Sequence, residues 1–474
     1  MLFTSPIFLF LFLPLVLLIY FLTPKKFKNL TLLVFSLVFY TWGENELVLL
    51  IMLSASVDYF SGLIISYGKR KLGLYISIVF NISILLYFKY ANFISSNLVQ
   101  VLESFNMNPE NALNFSNVVL PLGISFYTFQ TMSYTIDVYR GHVKASKNFI
   151  DFATYVTLFP QLIAGPIVRY AVIEKELKNR SVSSKMFYDG VEHFIIGLSK
   201  KMIIANNCAL LADGVFNLAP SESSAMIAWL GIIAYSFQIY FDFSGYSDMA
   251  IGLGKMFGFN FPENFNFPYI SKSIKEFWRR WHITLSTWFR DYLYISLGGN
   301  RQGKWRTYTN LIIVFFITGL WHGANWTFVV WGLFHGTFLI IERVLENKNL
   351  KLPVVFSHVY VILILNISWV FFRSNTMNDA FNYISTMFNF SLETNTAFLS
   401  FYLTKELLFI LVIAFVFSTP IYKKLSHYIH NSKLFTGTKN VFLSLKLIGL
   451  FILLLICFTY IATDSYNPFI YFRF

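Results

Sequence analysis

Charge is scarce in this chain: aspartate, glutamate, lysine and arginine make up 13% of its 474 residues, about half their share in soluble domains. With 56% hydrophobic residues and a mean hydropathy of +0.57, that scarcity excludes a soluble globular protein. Cysteine is almost missing as well. Cys208 and Cys457 both sit among apolar residues, so neither a disulfide framework nor a cysteine metal site can be built. The HExxH spacing is absent, the serine-hydrolase elbow GxSxG is absent, and Gly252-Leu253-Gly254 is too short for a dinucleotide loop. No metal site is expected. Strict apolar/polar alternation is lacking too, which excludes an outer-membrane barrel. The start MLFTSP has no basic n-region and no small-residue cleavage site follows its apolar run, so a retained first span is expected rather than a signal peptide.

What the chain does have is apolar runs, recurring from residue 3 to residue 463. Ile7–Leu22 and Leu447–Thr463 are apolar on every face and near the length that spans a bilayer core of about 30 Å. The expected fold class is an all-α polytopic membrane protein in the lipid bilayer, one domain over 1–474. It divides into N-terminal spans (1–115), a core carrying the chemistry (116–345), C-terminal spans (346–446) and a last span with an aromatic tail (447–474). Lysines and arginines number 37 against 24 acidic residues, a net charge of +13. They cluster in short loops, the cytoplasmic bias of membrane proteins, and no basic arm exists to follow a nucleic acid.

Lys25, Lys26 and Lys28, then Lys69-Arg70-Lys71, then Arg140, Lys144 and Lys147 mark cytoplasmic loops. Further spans are read at 29–42, 46–66, 188–212, 225–243, around Trp321-His322-Gly323, at 353–372 and at 407–419, with 374–404 between the last two expected as a polar loop outside. Leu158–Val168, rich in proline and glycine, is expected to dip in and return, and residues 244–307 form the largest basic surface. Parity gives about twelve crossings, with both termini outside the cytoplasmic membrane.

Polar groups at membrane depth are costly and point to function. Among eight histidines, His142, His358, His427 and His430 lie in loops or at helix ends, and His193 and His335 can satisfy a backbone carbonyl. His322 stands in GLWHGANWTFVVWGLFHG, between small residues (Gly323, Ala324), Asn325 and a wall of Trp321, Trp326 and Trp331. A buried imidazole there suits a general base, and equally a helix-packing contact. His282, in WRRWHITLSTWFR, shares a helical face with Trp278 and Leu285, while Arg279, Ser286 and Arg290 form a second stripe, flanked by Arg280 and Trp281. Imidazole beside cations suits a phosphate-bearing acyl donor, and the same arginines can snorkel into headgroups.

The segments LPLGISFYTFQTMSYTIDVYRG (120–141), FPQLIAGPIVR (159–169), SFQIYFDFSGYSDMAIGLGKMFGFNFPENFNFPY (236–269), WRRWHITLSTWFRDYLYISLGGNR (278–301), GLWHGANWTFVVWGLFHG (319–336) and NPFIYFRF (467–474) together resemble the membrane-bound O-acyltransferase family, in its bacterial branch of alginate and peptidoglycan O-acetyltransferases. The resemblance implies re-entrant segments and a tunnel through the bilayer, with two histidines facing it that fall on His322 and His282. It also implies acetyl-CoA as acyl donor, with no permanently bound cofactor. The arginines, Trp281, Ser286, Trp321, Asn325 and Trp326 would line the donor and substrate path, and an extracytoplasmic SGNH-hydrolase-like transferase would finish delivery to the glycan. Related D-alanylation systems use a separate one-span peptide with a similar aromatic ending, which here is fused to the chain. Tyr471 would then relay the acyl group, since a phenol of pKa about 10 keeps most of the transfer potential of a thiol of about 8.5. An aromatic residue anchored at the interface is the other account of it. D-alanyl transfer to teichoic acid and a transporter are the rival readings, and a transporter would bring repeat-related halves, which are not evident.

Overall fold

The structure is a computed structural model that describes residues 1–107, 118–219, 222–350, 352–391, 396–422, 424–425, 439–463, 466–468 and 470. Regular structure among the described residues is helical. The N-terminal part holds α1 (Phe8–Leu22), α2 (Lys28–Glu44), α3 (Val48–Ser66) and α4 (Arg70–Ser104). The centre follows as α5 (Ile124–Arg140), α6 (Phe149–Thr157), the single turn α7 (Phe159–Leu162), α8 (Tyr170–Lys178), α9 (Ser184–Phe216) and α10 (Ala225–Met256). Two short helices, α11 (Ile274–Arg280) and α12 (Ile283–Trp288), precede the hairpin α13 (Gly303–His322) and α14 (Trp326–Asn347). The chain closes with α15 (Val354–Arg373), α16 (Met377–Met387), α17 (Thr396–Tyr402), α18 (Lys405–Phe417) and α19 (Lys439–Ala462).

Seven helical segments among the described residues are long and apolar enough to cross a membrane: Lys25–Ser66, which folds as α2 and α3, then α4, α9, α10, α14, α15 and Leu443–Ala462 of α19. The sequence count of about twelve crossings also takes in helices such as α5 and α18, which run for 17 and 13 residues. The apolar windows of α9 and α10 are 72% buried and that of α19 is 11% buried, so α9 and α10 form the centre and α19 lies at the periphery. Large apolar side chains such as Leu15, Leu18, Phe21, Leu49 and Val79 remain exposed on outer faces, the surface that acyl chains cover.

The central pair is set by four glycines. A Cβ on Gly197 would lie 2.5 Å from the Gly245 carbonyl oxygen, and one on Gly245 would lie 2.7 Å from that of Gly197. Gly190 and Gly252 stand in the same relation at 2.7 and 2.6 Å. The spacing of seven on each helix runs in opposite directions, so α9 and α10 meet backbone to backbone over two turns, the small-residue packing that replaces hydrophobic drive inside lipid.

Two features differ from the sequence reading. Helix α10 does not stop near 243 but continues to Met256, because Gly245 and Gly252 hold that stretch against α9; the basic region therefore begins inside a packed helix. The stretch 374–404 is not simply a polar loop: Thr376 and Asp379 form a capping box that starts α16. Leu158–Val168 is a buried, broken segment in which only Phe159–Leu162 is helical and the Ile167 N–H donates to Thr284 Oγ1 at 3.0 Å.

Replacing Gly197 or Gly245 with valine should force the two backbones apart and lower stability by about 1–3 kcal/mol or more. The measurement is the midpoint of thermal loss of the monodisperse peak in detergent. Gly449→Ala, with nothing within 4 Å of its Cβ, should leave that midpoint unchanged.

Candidate active site

His322 is the last residue of α13, 4% exposed. Its helix is pinned to α14 at glycines: a Cβ on Gly319 would meet the Phe328 carbonyl oxygen at 2.3 Å, and one on Gly332 the Phe315 carbonyl oxygen at 2.2 Å. A helix ending inside protein must find partners for its last carbonyls. Here α4 supplies them. Tyr90 OH donates to the Leu320 carbonyl at 2.7 Å, and Lys89 Nζ donates to the Trp321 carbonyl and, at 3.0 Å, to Ser125 Oγ, with the His322 carbonyl 3.5 Å away. A buried ammonium at a helix C-terminus also meets the negative end of the helix dipole.

The His322 ring packs against Trp331, Phe372 and Trp321, with centroids 4.9, 5.2 and 5.0 Å away. With Trp281, Trp369, Phe243 and Ile470 it lines a cavity of about 10 Å³, room for about one water. On the other side of Phe372 opens a larger space of about 330 Å³, lined by Lys89, Gly323, Asn325, Arg373, Ser374 and Asn375. Phe372 lines both.

His282 approaches from a different element. The helical stripe expected through Trp278, His282 and Leu285, and through Arg279, Ser286 and Arg290, does not exist, because the chain breaks between α11 and α12 and His282 adopts a left-handed backbone (φ 42°). Asn264 explains the break. Its backbone carbonyl accepts the Ile283 N–H at 2.9 Å, and its Oδ1 accepts the Thr284 N–H at 3.2 Å and the Thr284 hydroxyl at 2.9 Å, so a remote asparagine caps α12. The same Oδ1 lies 3.1 Å from His282 Nδ1. An oxygen already receiving a backbone N–H must be the carbonyl end of the amide, so Nδ1 carries the proton and Nε2 is the basic nitrogen. The His282 ring stands 6.1 Å from the Trp321 ring and 4.6 Å from Phe243, so the two imidazoles flank one indole.

Other expected residues are not brought together. Trp326 is 52% exposed and donates to Asn97 Oδ1 at 2.9 Å, away from the His322 cavity, because it begins α14 and faces α4. Asn325 caps α14 through the Thr327 N–H and also borders the larger space. Ser286 bonds back to the Trp281 carbonyl at 3.4 Å. Arg280 is held by Glu276 at 2.9 Å and Arg290 by Asp291 at 2.6 Å. Burial would raise the Asp291 carboxyl, but Arg290 and Arg169 on either side hold it below the usual carboxylate range. Arg279 is exposed and has no ion pair among the described residues. His335 accepts the Trp278 indole N–H at 3.3 Å, whereas His193 meets the Asp189 carbonyl at 2.8 Å. Tyr471, His427 and His430 lie outside the described residues. No group of three histidine, cysteine, aspartate or glutamate residues placed to hold a metal occurs among the described residues.

Two residues of the site escaped the sequence reading. Asn264 lies in FPENFNFPY, where an asparagine reads as a turn residue. Lys89 lies in LLYFKYANF, and its isolation within an apolar run was the signal.

A family model described as the membrane-bound O-acyltransferase family matches residues 7–378. The chain is 47% identical over 396 residues to a probable alginate O-acetylase AlgI of Azotobacter vinelandii, covering 82% of this chain and 78% of that protein. It is 38% identical over 427 residues to a peptidoglycan O-acetyltransferase of Helicobacter pylori, 82% of this chain and 80% of that one. A teichoic acid D-alanyltransferase of Bacillus subtilis is 31% identical over 254 residues, 51% of this chain and 62% of its own length.

Asn264→Ala should strand the Thr284 N–H and the His282 Nδ1–H, and buried donors left unmade cost about 1–3 kcal/mol. Thermal stability in detergent should fall accordingly. An unchanged midpoint would show that water takes over the cap.

Proposed function

The chain belongs to the membrane-bound O-acyltransferase family, and on that premise we propose that it takes acetyl from cytoplasmic acetyl-CoA and passes it across the inner membrane for O-acetylation of an envelope polysaccharide of the alginate or peptidoglycan kind. One observation carries this reading: a buried histidine fixed at a helix end, walled by aromatic rings, with a second imidazole across one indole and a polar space beyond. Acetyl is favoured over D-alanyl because the O-acetylating relatives match over 82% of the chain and the D-alanylating one over 51%. Family membership sets the transporter aside.

In the proposed chemistry His322 is the general base. It takes the proton of the attacking hydroxyl as that oxygen bonds to the acetyl carbon, the carbon–sulfur bond of the thioester breaks, and the thiolate of CoA leaves with the proton. His282 Nδ1 is committed to Asn264, so its Nε2 is the nitrogen left to position the donor. The first attacking hydroxyl is the Tyr471 phenol, whose neighbour Ile470 lines the His322 cavity. The acetylated tyrosine then yields its acetyl to a nucleophile of an SGNH-hydrolase-like partner outside the membrane, on the side where both termini are placed by the loop charges.

His322→Gln should keep expression and membrane insertion and lower acetate released from the glycan by about 10²–10⁴-fold. Labelled acetyl-CoA without partner should leave base-labile label on the C-terminal peptide, absent in His322→Gln and in Tyr471→Phe. Full glycan acetylation by Tyr471→Phe would end the relay in favour of direct transfer to the partner.

Among the three arginines, Arg279 is the one whose charge no acidic residue holds among the described residues. Arg279→Gln should raise the KM for acetyl-CoA by about tenfold with kcat little changed, because donor phosphates are bound alike in ground and transition states. A fall in kcat at constant KM would contradict a donor-binding role.

A further inference from the structure

The deepest ion pair described here joins Lys201 of α9 to Asp242 of α10 at 2.6 Å, with side chains 4% and 2% exposed. It continues the glycine seam by one turn, since Lys201 follows Gly197 as Asp242 precedes Gly245. Charges at such depth are retained only where hydrogen bonding saturates them, and within a membrane protein they point to function. Here part of that bonding goes to the main chain of the protein's own C-terminal segment. Lys201 Nζ donates to the Pro468 carbonyl, and the Ile470 N–H donates to Asp242 Oδ2 at 3.0 Å. The segment is tied on both sides of its path: Asn206 Nδ2 donates to Asn467 Oδ1 at 3.2 Å, Asn467 Nδ2 to Thr4 Oγ1 at 3.1 Å, and Tyr466 OH to Asp213 Oδ2 at 2.7 Å. The seated Ile470 side chain, 7% exposed, becomes part of the wall of the His322 cavity.

Two details make this a binding site rather than incidental packing. The pair offers one donor and one acceptor to the Pro468 carbonyl and the Ile470 N–H, so it recognises main-chain groups of defined polarity rather than side chains. Lys201 also lies in a π turn, Lys200–Ala205, where an extra residue in the helix turns it inward toward α10.

We propose that Lys201 and Asp242 form a docking site for the protein's own C-terminal segment, a positioning pair that grips the Pro468 carbonyl and the Ile470 N–H and so seats Ile470 in the wall of the His322 cavity. The role in transfer rests on the acyltransferase reading above, while the docking itself does not. Release of the segment would leave the His322 cavity without its Ile470 wall and the two buried charges without their main-chain partners.

The test is hydrogen–deuterium exchange of the C-terminal peptide, residues 466–474, in the full chain held in detergent without substrate. Asp242→Asn and Lys201→Met should each speed exchange of this peptide by about tenfold, and Lys201→Arg should restore protection. Because buried-pair variants can misfold, a variant on the tail provides the independent arm. Ile470→Pro removes the N–H and should release the segment, whereas Ile470→Ala keeps the N–H and should leave it docked. Exchange in peptides from α13 and α14 should not change in the tail variants. An unchanged C-terminal peptide in Asp242→Asn and Ile470→Pro would overturn the docking site. Release of the segment with undiminished glycan acetylation would support the docking and overturn its role in transfer.

Discussion

Gly190 facing Gly252, and Gly197 facing Gly245, bring two helices together with no side chain between them, and everything central to this protein is laid out from that contact. Lipid gives helices little hydrophobic reason to associate, so close backbone approach and the dispersion it allows must do so. The seam holds α9 against α10 along a line that leads directly to Lys201 and Asp242. One turn beyond lies Ile239, already in the wall of the His322 cavity. Packing, ion pair and cavity are consecutive steps along one interface. A change that separates the glycines therefore reaches the chemistry without touching it.

Two buried lysines show how such a protein tolerates charge at depth. Lys89 and Lys201 both sit in π turns, Leu86–Tyr90 and Lys200–Ala205, and both ammonium groups donate to backbone carbonyls. Lys89 bonds to the end of α13, where His322 is carried; Lys201 bonds to the C-terminal segment that lines the same cavity. In each case the cation answers carbonyls that would otherwise lie unsatisfied in an apolar interior, and in each case it fixes a piece of chain beside the imidazole. The His322 environment is thus held from three directions: the glycine-packed α13–α14 hairpin, the α4 lysine, and the tail.

The second histidine is held by a different device. His282 owes its left-handed backbone and its tautomer to Asn264, a residue eighteen positions earlier that also caps α12. An uninterrupted helix through 278–290 would put Arg279, Ser286 and Arg290 in one row. The break disperses them, leaving Arg280 and Arg290 paired locally with Glu276 and Asp291. The helical spacing of that segment was legible and misleading at once, because local periodicity says nothing of an acceptor arriving from elsewhere.

Much about this protein is determined by sequence alone. Long apolar runs with few charges can only be membrane helices, since no other chain segment satisfies its backbone in hydrocarbon. Ordered motifs such as LWHGANW and FDFSGYSD carry the family, and His322 stood out because an imidazole in an apolar run is costly enough to need a reason. What tertiary structure decided is which polar groups meet. That Lys89 reaches the carbonyl of Trp321, that Asn264 accepts the Nδ1–H of His282, that Trp326 turns away toward Asn97, and that Pro468 and Ile470 lie on Lys201 and Asp242 all join residues far apart in the chain. Such meetings depend on the rotation of each helix about its axis. An added residue in a π turn or a cap from a distant loop alters that rotation without leaving a trace in the local pattern of apolar and polar residues.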